Sequence, residues 1–201
     1  MGSGHSPEHP IPNYRLICIF RFLLASLNIE AILQESTIYR RRERLSKMTG
    51  GLRLEDVYSA TIERIKAQGG DKSRLGMGAL MWISYAEEPL SPEMLCHALA
   101  IELGSTDFNA DNIPSITTLV GCCQGLVTVD KEESNVQLIH FTLREYFSAH
   151  PDTFGRYHSA IAEMCLTYLN SQQVKALSPD PYSYAYDVVS DKPFLRYCSL
   201  Y

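Results

Sequence analysis

The chain has 201 residues, enough for one domain or two small ones at roughly 150 residues per domain. A hydrophobic share of 45% is ordinary for a folded chain and excludes a disordered tail, a collagen-like repeat and a knottin. The net charge is −5, unevenly spread: residues 1–52 hold seven bases and four acids, residues 53–201 hold 11 bases and 19 acids. A compact nucleic-acid binder normally carries a basic footprint, so the sign counts against that class.

The six cysteines are Cys18, Cys96, Cys122, Cys123, Cys165 and Cys198, and none forms a Cys-x-x-Cys pair. They read as buried free thiols of a reducing compartment, and no zinc site is visible. The most apolar stretch, Leu16 to Leu33, is interrupted by Arg21, Asn28 and Glu30, so no membrane span is expected. The start lacks a basic n-region and a small-residue cleavage site, which fits a cytoplasmic chain.

Residues 1–13 hold three prolines and a Gly-Ser-Gly and read as a flexible leader. From Tyr14 to Glu35, Phe20, Leu24, Leu27 and Ala31 recur at helical spacing. A basic run, Arg40, Arg41, Arg42 and Arg44, follows. A helix is expected from Leu54 to Gln68, with Leu54, Tyr58, Ile62 and Ile65 on one face and Gly69-Gly70 closing it.

A tighter unit comes next. Residues 72–86 predict a helix with Leu75, Ala79, Trp82 and Ala86 inward, stopped by Pro89. Ser91-Pro92 reads as an N-cap with proline at the first helical position, and Leu90 with Leu95 as a hydrophobic staple. That helix is expected to carry Leu95, Leu99 and Leu103 to Gly104. A third helix should start near Asp111 and close at Gly125. Leu126 to Asp130 and Val136 to Phe141 read as a hairpin around the polar turn Lys131 to Asn135. Thr142-x-x-Glu145 reads as a capping box starting another helix. Three helices and then a hairpin is the order of a winged helix. A long helix over 154–171 follows, then a Pro- and Tyr-rich connector from Ser178, with a short helix starting at Pro193. The fold class is therefore mainly α: a helical segment over 14–70, a winged-helix domain over 72–150, and a C-terminal helix and connector over 151–201.

Catalytic signatures do not assemble. Gly69-Gly70-Asp71-Lys72-Ser73 is the nearest text to a phosphate loop, but Asp71 stands where glycine is needed and no strand precedes it. Gly-x-Ser-x-Gly is missing, and His97, His140, His150 and His158 are scattered. An enzyme is not expected, and the hydrolase alternative predicts a triad that these residues do not form. The nucleic-acid alternative needs a basic third helix and wing, yet Asp111 to Gly125 holds no Lys or Arg, and Lys131-Glu132-Glu133-Ser134-Asn135 is net negative. The arginine run reads as a solvated helix end or as an interdomain contact. By position alone His140 reads as exposed on the non-core side of the returning strand.

Several stretches resemble the segment that follows the NTPase core in fungal NACHT-type STAND proteins. They are Phe22 to Ile32, Gly51-Leu52 to Ile65, Ala79 to Ala86, Pro89-Leu90 with Leu95 to Ala100, Cys123 to Val129, Val136 to Phe147, Ile161 to Leu169, and Pro193 to Tyr197. The winged helix also looks like that of fungal proteins labelled GPI inositol-deacylases, whose lipase residues are not found here. The resemblance implies a regulatory module without enzymatic activity. It would pack against an upstream NACHT NTPase domain and downstream repeats such as ankyrin, with no nucleic acid and no membrane as partner. It implies no cofactor in this chain; ADP or ATP with Mg²⁺ would belong to the intact parent. It also implies that His140, in Ile139-His140-Phe141, touches the β-phosphate of ADP in the closed state of that parent. The Met-His-Asp pattern of the wider STAND family has Phe141 at its last position here, so only the histidine's role carries over.

Overall fold

The computed structural model describes residues 29, 32–33, 35–48, 54–177 and 192–200. The leader, most of the helix expected over 14–35, and residues 178–191 lie outside them. Of that first helix, residues 29, 32 and 33 are helical and Glu35 is not. The chain divides after Val57 into two compact units.

In the first unit, α1 spans Ile38–Met48. The backbone N–H of Arg40 is held by the hydroxyl of Thr37 at 3.3 Å, which starts the helix. The next helix, α2, spans Leu54–Ala67 and runs across the division. Glu55 and Asp56 lie in its first turn and Arg64 and Lys66 in its last, as the helix dipole favours.

The second unit is built around α3, Gly70–Tyr85. It is buried over Leu75, Gly76, Ala79, Leu80, Met81, Trp82 and Ile83, more than one face, because other elements cover it on several sides. The next helix, α4, spans Pro92–Leu99. Its cap is Ser91, whose side chain accepts the N–H of Met94 at 3.1 Å. The staple pair Leu90 and Leu95 is buried at 1% and 0% exposure. The helix ends at Leu99, not near Gly104, and Leu103 stands 55% exposed. Arg74 from α3 caps this end, donating to the Leu99 carbonyl at 3.0 Å.

The third helix also starts later than its sequence suggested. Asn109 caps only a single tight turn, Ala110–Asn112. Ile113 is extended, as a residue before proline prefers, and α5 spans Ile116–Cys122 with Ser115 as its cap. Gly125, at φ +82°, lets the chain leave α5 for the hairpin. Strands β1 (Val127–Asp130) and β2 (Asn135–Leu138) pair antiparallel, Val127 opposite Leu138 and Val129 opposite Val136. The Asp130 carboxylate accepts the N–H groups of Glu132 and Glu133 and shapes the turn. Leu90 adds a bridge beyond the hairpin, its carbonyl accepting from the Val136 N–H at 2.9 Å. Ser91, the residue before Pro92, is extended at φ −67° and ψ 157° and carries the chain from the Leu90 bridge into α4.

Next, α6 spans Phe141–Ala149 and α7 spans Tyr157–Leu169. A short turn, α8 (Gln172–Lys175), is fastened to the loop after α4: the Gln173 side chain donates to the Phe108 carbonyl at 2.7 Å and accepts its N–H at 2.9 Å. The last described helix, α9 (Pro193–Leu200), begins where the sequence suggested. It is packed rather than free-standing: the Trp82 ring meets Phe194 and Tyr197 edge-on, each at 5.6 Å.

Candidate functional site

The β2–α6 junction places His140. Its backbone is extended at φ −158° and ψ 148°, and its side chain is the N-cap of α6. Nδ1 accepts the backbone N–H of Thr142 at 3.3 Å and lies 2.8 Å from the Thr142 hydroxyl. This overturns the capping box. The helix starts at Phe141, and His140 does the capping expected of Thr142 and Glu145, because imidazole Nδ1 sits where an Asn or Ser oxygen usually does.

The Thr142 hydroxyl is also 2.8 Å from the hydroxyl of Tyr58 on α2. Since Nδ1 accepts from a backbone N–H, Thr142 donates to Nδ1 and Tyr58 donates to Thr142. The neutral ring then carries its proton on Nε2, which has no hydrogen-bond partner among the described residues. Burial holds the His140 pKa below its ordinary value, with Glu145 pulling weakly the other way. Burial likewise raises the Tyr58 hydroxyl, which Thr142 partly offsets. Phe141, 56% exposed, sets its ring 4.3 Å from that of His140. One turn on, Ser59 and Tyr146 bond hydroxyl to hydroxyl at 2.9 Å, and Tyr58 and Tyr146 meet edge-on at 5.6 Å. So two side-chain hydrogen bonds tie α2 to α6 beside the histidine.

The arginine run belongs to the first unit and divides in two. Arg41 Nε donates to the Glu35 carbonyl at 2.9 Å, and Arg44 pairs with the Glu35 carboxylate. Arg40 and Arg42 are exposed. Half of the run therefore ties its own helix to the preceding segment, a use that sequence could not separate from a solvated end.

Other chemistry is sparse among the described residues. No group of three His, Cys, Asp or Glu is placed to hold a metal ion. No helix is long and apolar enough to cross a membrane. The five described cysteines are buried free thiols. Among the clefts of the second unit, one of about 890 Å³ is walled by Leu75, Leu99 and Ile113 and rimmed by Asp71, Arg74, Glu102 and Asp111.

The order α3, the Leu90 bridge, α4, α5 and the hairpin defines a winged-helix domain. Residues 64–157 match the family model for the winged helix domain of GPI inositol-deacylase. That match runs from the last turn of α2 to the first residue of α7 and includes His140. No curated protein and no solved structure matches the chain.

Proposed function

We propose that the chain is a non-enzymatic regulatory module, the winged-helix segment of a cytoplasmic fungal NACHT-type STAND NTPase. Its work is to stabilise a nucleotide-controlled closed state by domain packing. The observation that carries this reading is the His140 cap. With Nδ1 occupied as an acceptor, Nε2–H is a donor that needs no protonation to meet a phosphate oxygen. Contact with a diphosphate would add a charge-assisted bond and raise the histidine's pKa, against the lowering that burial produces here. A contact made with bound ADP and broken on opening favours one state over the other, as a switch requires. The nucleotide, and the acids for its Mg²⁺, would come from the NTPase domain; Arg40 and Arg42 are offered as the interdomain contact.

Nucleic-acid binding is the weaker reading, because α5 (Ile116–Cys122) carries no charge at all. Fold alone does not decide between these uses. The test joins this segment to an upstream NACHT NTPase domain and measures co-purifying ADP and basal activity. His140→Ala should lower retained ADP and raise basal activity. Unchanged values overturn the nucleotide role.

A further inference from the structure

The cleft of about 890 Å³ in the second unit is an apolar trough with an acidic edge. Leu75, Leu99, Leu103, Ile113, Pro114 and Met164 line it. Leu103 is exposed there because α4 ends at Leu99 and leaves it outside a helix. The charged residues of the rim are Asp71, Arg74, Glu102 and Asp111. Arg74 is already occupied, by Asp71 at 2.7 Å and by the Leu99 carbonyl at 3.0 Å. Glu102 meets the neutral Asn112 amide at 2.9 Å, and Asp111 is exposed. The rim is left with two uncompensated negative charges.

In the first unit, α1 (Ile38–Met48) has the opposite character. Ile38, Arg42 and Leu45 recur at i, i+4 and i+7 and share one face. Ile38 is 68% and Leu45 55% exposed, and Arg42 is exposed between them. Arg41, at the edge of that face, donates to the Glu35 carbonyl, and Arg44 pairs with the Glu35 carboxylate, so Arg42 is its open cation. Apolar anchors at this spacing are the pattern of a helix that lies in an apolar groove.

We propose that α1 of one copy seats in this cleft of a second copy, and that the exchange is mutual. Ile38 and Leu45 cover the apolar floor, and Arg42 meets Glu102 and Asp111. Both polarity and charge match: an apolar face with one open cation meets an apolar trough with two open acids. A helix of 11 residues is about 16 Å long, and one face of it covers less than the roughly 1,200 Å² in total that a stable interface takes. Mutual exchange doubles the covered area and closes the assembly as a two-fold dimer rather than an open chain. The contact gives Arg42, offered above as part of an interdomain contact, a definite partner on another copy. It is independent of nucleotide binding at His140, which belongs to neither surface.

The test is sedimentation velocity of the full chain over a hundredfold range of concentration. A monomer–dimer equilibrium is expected, and it should weaken as salt rises. Arg42→Glu, and separately Glu102→Lys together with Asp111→Lys, should each weaken self-association at least about tenfold, because each sets like charges face to face. All three positions are exposed, so melting temperature and circular dichroism should match those of the unaltered chain. Mixing the two variants should restore the dimer, since each helix then faces a rim of opposite sign. A monomer throughout the range, as a helix seated in the cleft of its own chain would give, overturns the proposal. Self-association indifferent to Arg42→Glu, or a mixture that associates no better than either variant alone, overturns it as well.

Discussion

The hydroxyl of Tyr58 stands 2.8 Å from that of Thr142, joining α2 to the first turn of α6 across 84 positions of sequence. Tyr58 is 1% exposed, so this bond is sheltered from water. Tyr58→Phe removes one hydroxyl and leaves Thr142 bonded to His140; it should cost about 1 kcal/mol. Thr142→Val also strands the buried Tyr58 hydroxyl and should cost about 1–3 kcal/mol. Urea midpoints of both variants and the double variant check this. The double should cost less than the two costs added together, because the residues share one interaction.

His140 makes stability depend on pH in a definite direction. Its pKa is lowered from 6.5 in the fold, so the unfolded chain binds the proton more readily. The stabilisation is complete above 6.5 and is lost as pH falls through the lowered folded value. Glu145 and Tyr58 are the titratable neighbours, and Glu145 works against the shift. His140→Asn keeps a capping acceptor and should hold stability at neutral pH while flattening the decline towards about pH 5. His140→Ala should cost about 1 kcal/mol at neutral pH. Urea titrations at several pH values separate the three proteins.

Local signals were legible wherever one residue type decides the backbone. Ser91-Pro92 and the Leu90–Leu95 staple stand where the sequence placed them, and the polar turn expected over Lys131 to Asn135 is there but one residue shorter, since Asn135 already pairs with Asp130. The misses come from competition between signals. Leu103 fits the helical period of Leu95 and Leu99, but α4 ends at Leu99, where Arg74 caps it from another helix. Asp111 resembles a helix start, but the chain is extended before Pro114 and Ser115 holds the cap of α5. At the candidate site, Thr142 resembles a cap, yet Tyr58 claims its hydroxyl and His140 takes over the capping. Arg74 and Tyr58 are distant in sequence and His140 is an unusual residue type for a cap, whereas Pro114 and Ser115 are local signals that the helical period of Ile113 and Ile116 outweighed. Distance in sequence also hid the seat of α9 on Trp82, although its start was legible.

Gly76 and Gly78 make a controlled pair on α3. A Cβ on Gly76 would meet the Cys122 carbonyl oxygen of α5 at 2.7 Å and Ile65 Cγ2 of α2 at 2.8 Å. The oxygen is backbone at the end of a helix and cannot turn aside. Gly76→Ala should therefore destabilise by about 1–3 kcal/mol through overpacking, outweighing the roughly 1 kcal/mol gain in helix propensity. A Cβ on Gly78 meets only Leu99 Cδ2, also at 2.7 Å, the end of a flexible side chain. Gly78→Ala should be close to neutral. Equal thermal shifts for the two variants would contradict the close α3–α5 approach.

The winged helix should fail to bind generic duplex DNA. Thr117, Thr118 and Gly121 are the exposed residues of α5, and none carries charge. The hairpin turn adds Lys131 but also Glu132 and Glu133, all exposed. Duplex affinity comes largely from Lys and Arg displacing counterions, with a salt slope of about −0.9 per phosphate contacted. With almost no such contacts on this face, fluorescence anisotropy at low salt should show no saturable, salt-dependent binding. Thr117→Lys combined with Glu132→Lys and Glu133→Lys should bring in weak binding that disappears as salt rises. Binding by the unmodified chain, with a slope of several phosphates, would mean that another face carries the contact and would reinstate nucleic acid as a partner.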